Sequence, residues 1–189
     1  MKHRFRYICN EASELLDGVN KLSTFMNRLN KISAEQEGNG KGWTADDYKG
    51  MAFEALAEVF IKSSPIDKRV NIANYRPHSA KLDGKDVGID GYGESHNGNL
   101  HTVQVKYRSN PTLDLTTKDS ISNFVATTAA SPKYKDADMT IVTTARGLNQ
   151  FLAENMYHDR INVLGIQELT KMLDDNTVFW DRFRKEMGL

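Results

Sequence analysis

The chain reads as an α/β domain with a mixed sheet, and three observations carry that reading. Apolar residues recur at three- and four-residue spacings in two N-terminal segments, the pattern of helices that bury one stripe. From Val70 the pattern changes to alternating and β-branched stretches broken by glycine. Beyond Tyr107 helical and strand patterns then alternate to the C-terminus, which needs crossover connections and therefore some parallel pairing.

The first helical pattern runs from about Glu11 to Ser33, with Leu15, Leu16, Val19, Leu22, Phe25, Met26 and Leu29 on one stripe and Asn10 as its N-cap. This amphipathic arm is expected to pack on the domain or on a second copy. The polar, glycine-rich run Glu35 to Gly42 marks a loop, so residues 1–42 form a helical arm and residues 43–189 the main domain. Thr44 and Asp47 form a near capping box for a helix to about Lys62, buried through Tyr48, Met51, Ala52, Ala55, Leu56, Val59 and Phe60. Asp47, Glu54 and Glu58 flank that buried face; such a flank either looks into a neighbouring site or is a solvated edge. Val87 to Glu94 reads as a glycine-rich strand, Asn97-Gly98 as a tight turn, and Leu100 to Tyr107 as an alternating strand. A helix over Lys118–Ala130, a buried strand over Met139–Thr144, a short helix near Leu148–Asn155, a strand over Ile161–Leu164 and terminal helices from Gln167 complete the order.

Composition narrows the function classes. Hydrophobic residues make up 39% and charged residues 26% of 189, as in a globular domain, and no apolar run approaches the roughly 20 residues that span a bilayer. The single cysteine, Cys9, excludes an internal disulfide framework and a zinc ribbon; it is read as a small buried apolar residue in a reducing, cytoplasmic setting (or the cytoplasm or nucleus of a host cell, for a viral chain). His78, His96 and His101 do not have zinc-site spacing. Twenty-five basic residues balance twenty-five acidic ones, so a nucleic-acid surface would have to come from clustering and not from net charge. There is no phosphate-cradling glycine loop, which argues against ATP hydrolysis.

The informative segment is Gly88-Ile89-Asp90-Gly91-Tyr92-Gly93, followed after the turn by Val103-Gln104-Val105-Lys106. A hairpin brings Asp90 close to the strand face that carries Gln104 and Lys106. A carboxylate, a side-chain amide oxygen and the Val105 backbone carbonyl form a partial oxygen shell for Mg²⁺, with Mn²⁺ as its substitute. A lysine beside them can position an attacking water or balance negative charge on a phosphate. The bland alternative is a turn-proximal carboxylate and the solvent face of a hairpin.

The string D-x-G-I-D-G, a hairpin, and V-Q-V-K-Y resembles the catalytic core of PD-(D/E)XK nucleases, especially the Mrr-like restriction endonucleases whose last acidic position is often Gln. Gly50-Met51-Ala52-Phe53-Glu54 is similar to that family's G-x-x-F-E helix segment. Leu115-Thr116, Ile121 and Phe124-Val125 resemble its next helix, and Thr140 to Thr144 its next core strand. The resemblance covers about Lys49 to Glu168. It implies a restriction-endonuclease-like α/β/α core and a metal-dependent endonuclease acting on DNA. Asp90, Gln104 and Lys106 would be catalytic, with Glu54 as the helix carboxylate. Asp90, Gln104, Val105 and Glu54 would hold the metal, with Glu58 competing for the helix role and Asp86 for the strand role. Arg108, Lys81, Lys85 and Lys118 are the expected phosphate contacts. A homodimer cutting both strands, or a separate helicase or methyltransferase, are the expected partners besides DNA. A catalytically inactive module binding nucleic acid or a partner enzyme is the alternative.

Overall fold

A computed structural model describes residues 11–36, 44–63, 67–77, 88–95, 98–155 and 160–189. Cys9, Asn10, His78, Lys81, Lys85, Asp86, His96 and Asn97 lie outside the described residues. The helices are α1 (Ala12–Leu16), α2 (Leu22–Gln36), α3 (Ala45–Lys62), α4 (Ile121–Ala130), α5 (Gln150–Asn155), α6 (Ile166–Leu173) and α7 (Thr177–Glu186). The strands are β1 (Arg76–Pro77), β2 (Gly91–Glu94), β3 (Leu100–Lys106), β4 (Asp138–Thr143) and β5 (Ile161–Leu164). Two compact units emerge, Met1–Val59 with Gln167–Leu189, and Phe60–Ile166. Among the described residues no helix is long and apolar enough to cross a membrane.

The first unit joins the two ends of the chain. Where the periodicity predicts one helix from Glu11 to Ser33, the structure has two, because Asp17 turns extended and Gly18 adopts φ +64°. The stripe survives the break: Leu15, Leu16, Val19, Leu22, Phe25 and Leu29 are all fully buried. Their cover is the C-terminal helix of the same chain. Phe25 packs on Trp180 and Phe183 with ring centroids 6.1 and 6.0 Å apart. Polar ties reinforce it, with the Leu22 amide donating to Asp174 (2.8 Å) and Arg184 donating to the Val19 carbonyl (2.9 Å).

The second unit is a five-stranded mixed sheet in the order β1-β2-β3-β4-β5, antiparallel from β1 to β3 and parallel from β3 to β5. The fold class is therefore α/β with flanking helices, consistent with a restriction-endonuclease-like fold. Register places Thr102, Gln104 and Lys106 on one face with Met139, Ile141 and Thr143 of β4. Ile121, Phe124, Val125 and Leu152, from α4 and α5, join Met139 and Ile141 in one apolar cluster. The opposite face meets the segment after α3, where the Thr140 hydroxyl donates to the Arg69 carbonyl (2.7 Å) and Arg69 donates to the Val163 carbonyl (2.7 Å). The glycines of β2 have a steric reason here: a Cβ on Gly91 would lie 2.1 Å from the Tyr75 hydroxyl, and one on Gly93 2.3 Å from an Ile72 methyl.

Two boundaries differ from the sequence reading. β2 begins at Gly91, because Gly88 turns the chain with φ +71° as it passes the backbone of α4 at Phe124; Val87, where the sequence pattern starts the strand, lies outside the described residues. The helix expected from Lys118 begins with a single 3₁₀ turn, Thr117–Asp119; Ser120 at φ 60° breaks it before α4 starts.

His101 is buried in β3, its Nε2 3.5 Å from an Asp138 carboxylate oxygen and its Nδ1 without a hydrogen-bond partner. Burial pushes its pKa below 6.5, outweighing the upward pull of Asp138. The unfolded chain therefore binds the proton more readily, so the stability from a neutral His101 is complete above about 6.5 and lost as pH falls below it. Chemical denaturation from neutral to mildly acidic pH should show a falling midpoint, with a shallower fall in His101→Gln. Equal slopes would exclude His101 as the cause.

Candidate active site

The site is built where β2 ends and β3 passes on. The paired register ends at Gly91↔Val103, and just before it the Asp90 amide donates to the Val103 carbonyl (2.9 Å), which leaves Asp90 beside the Gln104–Val105 end of β3. Before Asp90 the partner strand is gone, so the Val105 amide has no backbone partner on that side. The Asp90 carboxylate takes its place, accepting from Val105 N–H at 2.7 Å, with the Gln104 side-chain amide 3.5 Å from the same oxygen. N–H and C=O of one residue in a strand point to the same side. The Val105 carbonyl is therefore directed to the Asp90 edge, whereas the Lys106 carbonyl faces β4 and accepts from the Thr143 hydroxyl at 2.7 Å.

Gln104 decides between the two readings of this face. Solvent exposure is what the bland hairpin predicts, but Gln104 is 1% exposed and Thr102 fully buried, because β4 pairs on the other side of β3 and α4 covers the face. Thr102 is satisfied by Thr128 of α4 at 3.2 Å. The Gln104 Oε1 is buried and has no hydrogen-bond partner among the described residues. Rotating the amide would set oxygen against the Asp90 carboxylate, so the amino group faces Asp90 and the oxygen is the orphan. An unsatisfied buried acceptor costs about 1–3 kcal/mol.

That cost fits a site awaiting a cation. Asp90, the Gln104 oxygen and the Val105 carbonyl are hard oxygen donors on one corner of the sheet, the donor chemistry that suits Mg²⁺ or Mn²⁺. Among the described residues there is no group of three or more His, Cys, Asp or Glu side chains that could hold a metal, so a cation bound at this corner would have to draw on the amide and the backbone. Removing the orphan tests this. Gln104→Leu should stay within about 1 kcal/mol of wild type without divalent metal, because an apolar group of similar size replaces an unpaired oxygen. It should lose whatever stabilisation added Mn²⁺ gives the wild type. A thermal melt series would show both, and an equal Mn²⁺ effect in the two proteins would exclude Gln104 as a ligand.

Lys106 is half-buried at the end of β3 on the Gln104 face. Its backbone is held firmly: the Thr143 hydroxyl and Thr144 amide bond the Lys106 carbonyl, and the Thr144 hydroxyl accepts from the Arg108 amide (2.6 Å) and donates to the Arg108 carbonyl (2.9 Å). The Arg108 guanidinium pairs with the buried Asp119 carboxylate, which also caps the 3₁₀ turn through Thr116. Lys118 is exposed on that turn. Glu54 and Glu58 lie on α3 in the first unit, Glu54 half-buried and Glu58 buried. The Thr143-Thr144 pair and Asp119 are positioning residues that strand and helix patterning does not single out. A β-branched strand running into two threonines was the available signal for the pair.

No curated protein matches the chain. A family model described as restriction endonuclease, of the Mrr catalytic type, matches residues 64–187. The match takes in β1 to β5 and continues through all of α7, beyond Glu168 where the motif resemblance ends. It begins after Gly50-Met51-Ala52-Phe53-Glu54. It covers about two thirds of the chain, and the protein belongs to the Mrr-like restriction endonuclease family, consistent with a PD-(D/E)XK nuclease core.

Proposed function

We propose that this protein is a Mg²⁺-dependent endonuclease that hydrolyses DNA phosphodiester bonds through a D…QxK centre. The observation that carries the reading is the buried, unpartnered Gln104 oxygen beside the Asp90 carboxylate, in a chain of a restriction endonuclease family. Asp90, Gln104 and the Val105 carbonyl hold the metal, and Glu54 is the proposed further carboxylate. When bound, a divalent ion polarises the phosphate and lowers the pKa of a coordinated water. Lys106, on the Gln104 face, holds the attacking water and stabilises the negative charge that grows on the phosphate. Arg108 and Lys118, on the segment leading from β3 to α4, are proposed phosphate contacts, and so are Lys81 and Lys85, which lie outside the described residues. A homodimer would place two such centres on one duplex.

A neutral Gln104 beside a single strand carboxylate gives a weakly charged metal site, and that favours a second reading: the same fold binding nucleic acid without cutting it. Calorimetric titration with Mn²⁺ separates the two. The endonuclease reading expects one site per chain that disappears in Asp90→Ala. A folded wild type with no heat of Mn²⁺ binding, with and without DNA, would leave the binding module.

A further inference from the structure

Tyr92, in β2, lies two residues beyond Asp90, a separation of at most about 7 Å along the chain. Arg76 of β1 lies directly opposite Tyr92 in antiparallel register, so its side chain leaves the same face. From the turn after α4, Lys133 reaches over both Tyr92 and Tyr134, its Nζ 5.1 and 5.0 Å from the two ring centroids. The rings themselves are 5.7 Å apart and tilted by 45°. Arg76, Tyr92 and Lys133, together with Asn74 and Glu94, line a groove of about 330 Å³.

The charges in this groove call for an anion. Arg76 and Lys133 are near enough to repel each other, and among the described residues neither pairs with a carboxylate. Both side chains are exposed, so neither is held there by packing into the core. Lys133 is instead set over two aromatic faces, whose negative π-clouds favour a cation. Glu94, on the same strand face but farther from Asp90, puts a single negative charge at the outer rim. The favourable position for an anion is therefore between Arg76 and Lys133, on the Asp90 side of Glu94.

We propose that Lys133 and Arg76 form a clamp for a backbone phosphate of the bound DNA strand, one to two nucleotides from the bond held at Asp90. A separation of roughly 7 Å is about two 3.4 Å rises along the duplex axis, which keeps the clamp within a nucleotide or two of the bond at Asp90. Tyr92 and Tyr134 are positioning residues that fix the Lys133 ammonium before the strand arrives, so little side-chain freedom is lost on binding. The inference rests on the reading of Asp90, Gln104 and Lys106 as the centre where DNA is engaged, and it names the part of the strand that lies beyond that centre.

Fluorescence anisotropy of a labelled duplex, titrated with protein at several salt concentrations in EDTA and again with Ca²⁺ in place of Mg²⁺, reads binding without cleavage. Lys133→Ala and Arg76→Ala should each lower the slope of log affinity against log salt by about one, and the double variant by about two. Lys133→Arg should restore the slope. Tyr134→Leu should weaken binding with the slope unchanged, since the charge remains while its anchor is lost. Circular dichroism of these surface variants confirms that they are folded. A double variant with the wild-type slope overturns the clamp and leaves the endonuclease reading standing. A wild type with no salt-dependent duplex binding under either condition overturns both.

Discussion

Lys106→Ala is expected to reduce the DNA cleavage rate about a thousand-fold, equivalent to about 4 kcal/mol of lost transition-state stabilisation. The size follows from the position. Lys106 shares a strand face with Gln104, and its backbone is fixed by Thr143 and Thr144, so in the proposed mechanism its ammonium would approach the phosphate from a rigid strand end. Truncating a half-buried side chain at the edge of β3 leaves the cluster of Ile121, Phe124, Val125, Met139 and Ile141 intact. Stability should therefore change little, and Mn²⁺ affinity should be retained. Single-turnover cleavage kinetics measured beside a Mn²⁺ titration give both numbers; a variant that loses metal binding along with activity would assign Lys106 a different role.

Asp90→Asn should be as severe for activity, but by another route. The asparagine oxygen can still accept from the Val105 amide, so the strand end keeps its hydrogen bond while the charge that draws the cation is gone. Mn²⁺ affinity should fall by about a hundred-fold or more, and cleavage with it. Asp90→Ala should lose the same affinity and in addition about 1–3 kcal/mol of stability, because the Val105 amide is left without its acceptor. Denaturation midpoints of the two variants, measured without metal, separate the structural from the chemical contribution. If Asp90→Asn binds Mn²⁺ as tightly as wild type, the carboxylate serves only as the acceptor for Val105.

The juxtaposition of Asp90 and Gln104 was readable before any coordinates because it is local. A glycine-flanked turn between two short strands determines which residues face each other, and the register that ends at Gly91↔Val103 leaves Asp90 beside the Gln104–Val105 end of β3. The strand Ile161–Leu164 was equally plain from its apolar run. What was not readable depends on contacts between distant segments. Gln104 looks like a surface residue in a V-Q-V-K alternation; it is buried because β4, more than thirty residues on, pairs in parallel beside it and α4 covers both. The same holds for the Arg108–Asp119 pair and for Lys133 on Tyr92, which only the tertiary fold brings together. The split of the first helix at Gly18 is the opposite case: the residue was visible, but the apolar stripe ran through it unbroken and outweighed it.

The central claim, that the corner formed by Asp90, Gln104 and Lys106 cuts DNA with a divalent ion, is tested most directly on supercoiled plasmid. Wild type, Asp90→Asn and Lys106→Ala are incubated with it in Mg²⁺, in Mn²⁺ and in EDTA. Nicked or linear products from wild type with either ion, none in EDTA and none from either folded variant are the expected result. Intact plasmid with folded wild type in both ions, or equal cutting by all three proteins, would contradict it.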